Sequence, residues 1–292
     1  MRSRNIFVRF IGHVARKFRG FQEVWILPWW GSGWVAAIPL SVLDSMVLVA
    51  KLCSCCVAAA VRVLIPPTMK NMNGETVLSY GFTVDVTVRE QVSSLAASIR
   101  RQIADVSMVV SNAGAVSCGP LTHLKAESIA KLIEINLLAH FWVIEAFLPS
   151  MIERRQGHIV AINSSAGLLP CPDMIPYSAA KYGLRGLMES ITEELRLDSW
   201  TKNIHTTSVY LATISTGLYP PPSHRFSWWY SEISAKEAAR IIIEGIRKNK
   251  KCISIPTAMK TFIDLNNLMP YRIRIILTDF FNYPHRGWFC FC

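Results

Sequence analysis

The chain has 292 residues, 51% of them hydrophobic and only 17% charged, so it holds one large domain or two small ones and is too apolar to be disordered. Fifteen Gly and fifteen Pro are ordinary counts and exclude collagen-like and low-complexity classes. The net charge of +11 raises nucleic-acid binding, but the excess is scattered or gathered near the ends (Arg2, Arg4, Arg9, Arg16, Lys17 and Arg19; Arg247, Lys248, Lys250 and Lys251). A cationic stretch beside an apolar one fits an anionic membrane surface better, and no nucleic acid is expected. Of eight cysteines, Cys53, Cys55 and Cys56 crowd one apolar segment and Cys290 and Cys292 end the chain. That pattern fits thiols of a reducing compartment. No metal site is expected.

Residues 1–23 form a basic tail. Val24 to Leu43 contains no charged residue, and the run stays apolar to Ile65, interrupted by Asp44, Lys51 and Arg62. Roughly 20 apolar residues cross a bilayer as a helix, and Trp25, Trp29, Trp30 and Trp34 suit the lipid–water boundary. Residues 24–67 are therefore expected to be an apolar helical membrane anchor, ended by Pro66-Pro67. A buried helix pair and a mitochondrial presequence are the lesser readings. The apolar part is too long and starts too late for a cleaved signal peptide.

Beyond the anchor, strand and helix alternate. Phe82–Val86 is a β-rich run. Thr87 and Glu90 have capping-box spacing, and Val88, Val92, Leu95, Ala96, Ile99 and Ile103 keep a helical period. Val106–Val110 reads as a buried strand, Ala126–Arg155 as a long helix, His158–Asn163 as a strand and Tyr177–Leu197 as a helix. Ile204–Leu211 is a strand, Ser234 and Glu237 open a helix to about Lys248, and Cys252–Ile255 is a last strand. The fold class is α/β, a doubly wound parallel (Rossmann-like) sheet spanning residues 68–258, with a C-terminal extension over 259–292. Ligands of such sheets sit beyond the carboxyl ends of the strands.

Three constellations fall at those ends. Ser111-Asn112-Ala113-Gly114 follows one strand, and its small residues let backbone approach a cofactor. Asn163-Ser164-Ser165-Ala166-Gly167 follows the next. Tyr177 lies thirteen residues beyond Ser164, with Lys181 one helical turn on. Tyrosine is a poor acid or base at neutral pH. A nearby ammonium favours tyrosinate and is expected to lower its pKa, so a positioned Tyr–Lys pair can move a proton to or from an alcohol oxygen. Ser164 would hydrogen-bond that oxygen, and Asn136 could bridge to Lys181 through water.

With these residues the chain resembles the short-chain dehydrogenase/reductase family, from about Pro66 to Ile255. It looks most like the membrane-anchored subgroup of retinol and 17β-hydroxysteroid dehydrogenases. The matching text is Ile65-Pro-Pro, Asn73-Gly-Glu-Thr-Val-Leu78, Leu138-Ala-His-Phe-Trp142, Phe147-Leu-Pro149, Gly157-His-Ile-Val160 and Thr216-Gly-Leu218. The resemblance implies that Asn136, Ser164, Tyr177 and Lys181 form a catalytic tetrad, with Ser164 and Tyr177 meeting the substrate. It implies that Asp85 contacts adenine, that Asn112, Ala113 and Gly114 line the cofactor cleft, and that Ile214 and Thr216 meet the nicotinamide carboxamide and phosphates. The cofactor would be NAD or NADP and the substrate a lipophilic alcohol or ketone, retinoid or steroid-like. The anchor would hold the protein on the endoplasmic-reticulum membrane or a lipid droplet; a homodimer is open.

One family element is missing. The first strand normally leads into Thr-Gly-x-x-x-Gly-x-Gly, a helix, a second strand and another helix. Here Thr76-Val-Leu78 looks like that first strand, and six residues separate Leu78 from Asp85, the position that normally follows the third strand. A βαβ unit needs roughly 30 residues. The loop's backbone amides and the helix N-terminus after it neutralise the pyrophosphate, so cofactor binding is expected to be weak. Exon skipping, mis-assembly or true loss would each leave this gap; the intact catalytic half favours the first. The competing function is an inactive membrane or lipid-droplet interaction protein. Ser79-Tyr80-Gly81 leaves room only for a hairpin or one continuous strand, expected next to Val106–Val110. The aromatic stretch from Tyr219 to Tyr230 reads as an apolar lid or a surface loop, and His140 and His158 as structural.

Overall fold

The computed structural model describes residues 5–11, 23–28, 68–70, 76–212, 214–215 and 233–281. Side chains are described over 80–212 and 233–277. The main sheet has eight strands in the order β10-β7-β6-β5-β2-β1-β4-β3. Its strands are β1 (Asn5–Ile11), β2 (Glu23–Pro28), β3 (Thr68–Lys70), β4 (Thr76–Thr83), β5 (Val106–Ser111), β6 (Gly157–Ser164), β7 (Ile204–Leu211) and β10 (Cys252–Ile255). Two further short strands, β8 (Ile214–Ser215) and β9 (Ile233–Ser234), pair with each other.

The half that carries the chemistry follows the sequence reading closely. Strands β5, β6, β7 and β10 are parallel neighbours. Helices make the crossovers: α2 (Ala126–Ile133) and α3 (Ala139–Arg154), then α4 (Ile175–Leu197), then α5 (Ala235–Arg247). Alternate strand side chains face opposite layers, as the two-residue period requires. Val109, Ile159 and Ala161 pack with α1 (Arg89–Gln102), α3 and α4. Met108, Val110, Val160 and Ile162 pack with Ala238, Ile242 and Ile246 of α5. Each fully buried aliphatic contributes about 1.5–3 kcal/mol, and both layers need the strand between them. The register sets Ser111 opposite Ala161, Ser164 opposite Leu211, and Leu211 opposite Ile255, so the carboxyl ends form one edge.

One of the two expected caps forms and the other does not. Ser234 Oγ does accept from the Glu237 N–H at 3.2 Å and opens α5. Thr87 does not cap α1: the N-cap is Val88, without a side-chain bond. The Thr87 hydroxyl donates instead to Asp85 Oδ1 at 2.7 Å, a shorter-range partner. The segment 126–154 is long and apolar enough to cross a membrane. It is a core element here, burying Leu132, Ile135, Ala139, Val143, Phe147 and Met151.

The other half corrects the expected strand order. Thr76–Thr83 is one continuous strand, because three residues cannot form a crossover. It does not lie beside β5. That position belongs to β2, antiparallel, with Trp25 opposite Val110. Strand β1 follows, antiparallel to β2 and parallel to β4. The open edge of β5 is thus covered by N-terminal residues whose antiparallel pairing requires no crossover helix. Val24–Pro28, the start of the expected helical anchor, is strand; residues 29–67 lie outside the described residues. The C-terminal extension holds α6 (Thr257–Asn267) and α7 (Tyr271–Phe281). Met259 and Ile263 pack on Leu168 and Tyr210.

Candidate active site

Strand β6 ends at Ser164, and the chain turns tightly through Ser165–Gly167, with Ser164 Oγ accepting from the Ala166 N–H at 3.2 Å. Helix α4 starts at Ile175, with Pro176 in its first turn, where a missing N–H costs nothing. Tyr177 and Lys181 then share the face turned to β6. The turn and the helix meet at Gly167: a Cβ there would lie 2.7 Å from the Lys181 carbonyl oxygen and 2.9 Å from Asn163 Oδ1. Only glycine permits that approach. Asn163 fixes the junction from within, donating from Nδ2 to the Lys181 carbonyl at 3.1 Å and accepting from the Ser164 N–H at 2.8 Å.

Ser164 neighbours the Tyr177 hydroxyl and favours the phenolate. Burial raises the phenol to about 12, against that pull. Lys181 is 4% exposed, and burial lowers its ammonium to about 8. Its Nζ lies 5.6 Å from the Tyr177 ring centroid and donates to the Ile162 carbonyl at 3.5 Å. The expected lowering of the tyrosine pKa by Lys181 is therefore corrected. Desolvation outweighs the ammonium, which sits against the ring, and at neutral pH Tyr177 is a protonated phenol, ready to give a proton.

Asn136 is fully buried in a π-helical turn, Glu134–Leu138, between α2 and α3; such turns concentrate at functional sites. Its Nδ2 donates to the carbonyls of Ala115 at 2.7 Å and Leu132 at 3.0 Å, and its Oδ1 accepts from the Ala115 N–H at 3.2 Å. Both amide protons and one Oδ1 lone pair are used within the chain, on Ala115 and Leu132, which leaves Oδ1 one acceptor site on the side of Gly114 and Lys181. Gly114 lies between the two: a Cβ there would be 3.4 Å from Asn136 Oδ1 and 3.8 Å from Lys181 Nζ. Asn112, Ala113 and Gly114 therefore border the Tyr177–Lys181 pair from the β5 side.

Other expected site residues are placed differently. Asp85 follows β4, which two strands separate from β5, and its Oδ1 accepts from the Thr87 N–H at 2.9 Å and from the Thr87 hydroxyl. Ile214 pairs with Ile233 in the β8–β9 ladder. Thr216 and the aromatic stretch after it lie outside the described residues. His158 is structural, its Nε2 2.8 Å from Thr207 Oγ1. Two contributors were not assigned a part from sequence. Asn163, which the sequence places at the end of the His158–Asn163 strand, is one. His140, read as structural, binds Ser111 Oγ through Nδ1 at 2.7 Å and the Ala113 carbonyl through Nε2 at 3.1 Å. No spacing signal marks such long-range partners.

A family model described as short chain dehydrogenase matches residues 47–223. The chain is 35% identical over 201 residues to human 17-beta-hydroxysteroid dehydrogenase 13, covering 69% of this chain and 66% of that protein. It is 32% identical over 196 residues to human estradiol 17-beta-dehydrogenase 11, covering 67% and 64%. It thus spans about two thirds of the length of these relatives. The crystal structure of a short chain dehydrogenase/reductase from Burkholderia phymatum in complex with NAD aligns with a TM-score of 0.56 at 21% identity, over 65% of this chain and 75% of that one. A short-chain dehydrogenase from Streptomyces avermitilis gives 0.56 at 21% identity, over 70% and 79%. At that identity the structures speak for the fold alone. Matched by the family model over more than half its length, and with 17-beta-hydroxysteroid dehydrogenases among its relatives, the chain belongs to the short-chain dehydrogenase family.

Proposed function

We propose that the site interconverts a lipophilic alcohol and its ketone or aldehyde, with NAD or NADP as redox partner. The observation that carries this reading is the buried ammonium of Lys181 set 5.6 Å from the Tyr177 ring, with Ser164 acting on the phenol. Tyr177 gives its proton to the carbonyl oxygen in reduction and accepts it from the alcohol in oxidation. Ser164 holds the same oxygen. Lys181 stabilises the tyrosinate left behind. The dinucleotide, when bound, supplies or accepts the hydride.

The residues fit such a cofactor at one end. No carboxylate pairs with Lys181 among the described residues, and a buried ammonium without a counter-ion suits ribose hydroxyls. The Asn112–Gly114 loop would border the nicotinamide. At the other end the sequence carries no Thr-Gly-x-x-x-Gly-x-Gly, so the pyrophosphate lacks its usual amide donors. We therefore assign weak dinucleotide binding. This gap also favours a second reading, an inactive member of the family kept for interaction.

The similarity to 17-beta-hydroxysteroid dehydrogenase 13 and estradiol 17-beta-dehydrogenase 11 supports a steroid-like substrate. The apolar run from Trp29 to Ile65, with Trp29, Trp30 and Trp34, supports a membrane or lipid-droplet surface as the place of work. The deciding experiment measures turnover of a steroid and a retinoid alcohol with each dinucleotide by purified protein, alongside Tyr177→Phe. Turnover that Tyr177→Phe abolishes supports the oxidoreductase. No turnover and no dinucleotide binding leaves the second reading.

A further inference from the structure

His140 is fully buried in the first turn of α3, one turn after Asn136. Both of its ring nitrogens are engaged. A carbonyl can only accept, so Nε2 carries the proton toward Ala113, and Nδ1 is free to accept from the Ser111 hydroxyl. Burial and the nearby Lys181 charge both disfavour a second proton. The partners flank Asn112. Two residues further, Asn136 holds both backbone groups of Ala115. The segment from Ser111 to Ala115 is thus tied to one helix at alternate residues, and Gly114 sits between the ties, against Asn136 and Lys181.

We propose that His140 is a positioning residue: its neutral ring clamps Ser111 and the Ala113 carbonyl, and so fixes the Asn112–Gly114 loop beside Lys181, where it would border a bound nicotinamide. The link to nicotinamide rests on the oxidoreductase reading above; the clamp does not. Here the two bonds add to those of Asn136 with Ala115 and join the residues just after β5 to one helix. Losing them should loosen that stretch and little else.

Hydrogen exchange followed peptide by peptide tests the clamp in the full chain. His140→Phe keeps a ring and removes both bonds. Amides of residues 112–116 should exchange about tenfold or more faster, while β6 and α4 keep their protection. His140→Gln, which can restore a donor to the Ala113 carbonyl, should recover most of the protection. Ser111→Ala, a change of one atom, should loosen the same peptide partially and serves if His140→Phe does not fold. Unchanged loop exchange in a folded variant, or loosening spread evenly through β6 and α4, overturns the clamp. In turnover, His140→Phe should raise the dinucleotide KM several-fold with a smaller change in kcat. A loosened loop with an unchanged dinucleotide KM overturns the link to cofactor fit. A parent protein that binds no dinucleotide, yet shows the loop effect, overturns the oxidoreductase reading and keeps the clamp.

Discussion

The Lys181 ammonium lies 5.6 Å from the centre of the Tyr177 ring, while Ser164 acts on the Tyr177 hydroxyl from the strand end. The cation is therefore placed against the ring and the hydroxyl against a neutral partner. Desolvation acts on both groups, and in opposite directions: the phenol rises to about 12 and the ammonium falls to about 8. Near neutral pH the site holds a phenol and a charged lysine, the pair suited to protonating a carbonyl oxygen.

The pH dependence of reduction follows from that pair. Tyr177 keeps its proton well above neutrality, so the sensitive group is Lys181. As pH rises through about 8, the lysine loses its charge and no longer stabilises tyrosinate. The rate of carbonyl reduction should fall across that range. A rate–pH profile flat from about pH 6 to about pH 10 would count against Lys181 as the activator.

Tyr177→Phe keeps the ring and removes the transferable proton. Turnover should drop by about 10² to 10⁴ with the fold unchanged by circular dichroism. Ser164→Ala, which removes a hydrogen bond and no proton donor, should cost less. Equal activity of Tyr177→Phe and parent protein would show that this pair is not the chemical centre.

Lys181 should be destabilising. Its folded pKa of about 8 lies below the ordinary 10.5, so the unfolded chain holds the extra proton between those values. The group therefore costs stability below about pH 8, and the cost fades as pH rises toward 10.5. Lys181→Met should raise Tm by roughly 3 °C or more at neutral pH while turnover falls. A lower Tm in that variant would mean that the ammonium is held by groups beyond those described.

Asn136 has the opposite sign. Asn136→Ala would leave the buried N–H and carbonyl of Ala115 unpaired, at about 1–3 kcal/mol each. Denaturant unfolding should show a loss of about 2 kcal/mol or more. A loss within error would show that solvent reaches this loop.

Strand β2 gives a test of the unexpected sheet order. Ile26 lies opposite Val109 of β5 and Val8 of β1, in a strand flanked on both sides. Ile26→Pro removes an N–H there, and proline is rare in such strands. It should destabilise the fold by about 3 kcal/mol. If 24–43 is instead a membrane helix detached from the sheet, the substitution should leave thermal unfolding of the domain where it was.

Dinucleotide affinity tests the missing loop. Titration calorimetry with NAD(H) and NADP(H) should give binding far weaker than micromolar. Micromolar affinity for either would mean that another segment supplies the phosphate donors.

The catalytic half was legible in the sequence because its elements are locally specified. Periodic apolar residues gave β7 and β10 to the residue, and the Ser164–Tyr177–Lys181 spacing works only if a strand end and a helix face meet. Chain length excluded a crossover at Ser79–Gly81 and left a hairpin or one continuous strand; the structure takes the second. The neighbours of β4 did not follow from length. A strand's partner is chosen by which edge remains open after the rest has folded, and Val24–Leu27 reads equally as lipid-facing helix or as sheet. The direction of the Tyr177 pKa also needed the structure, because spacing places Lys181 near the ring but does not reveal that burial outweighs its charge. The tie from His140 to Ser111 and Ala113 spans almost thirty residues, and only packing of α3 across β5 brings those partners into reach.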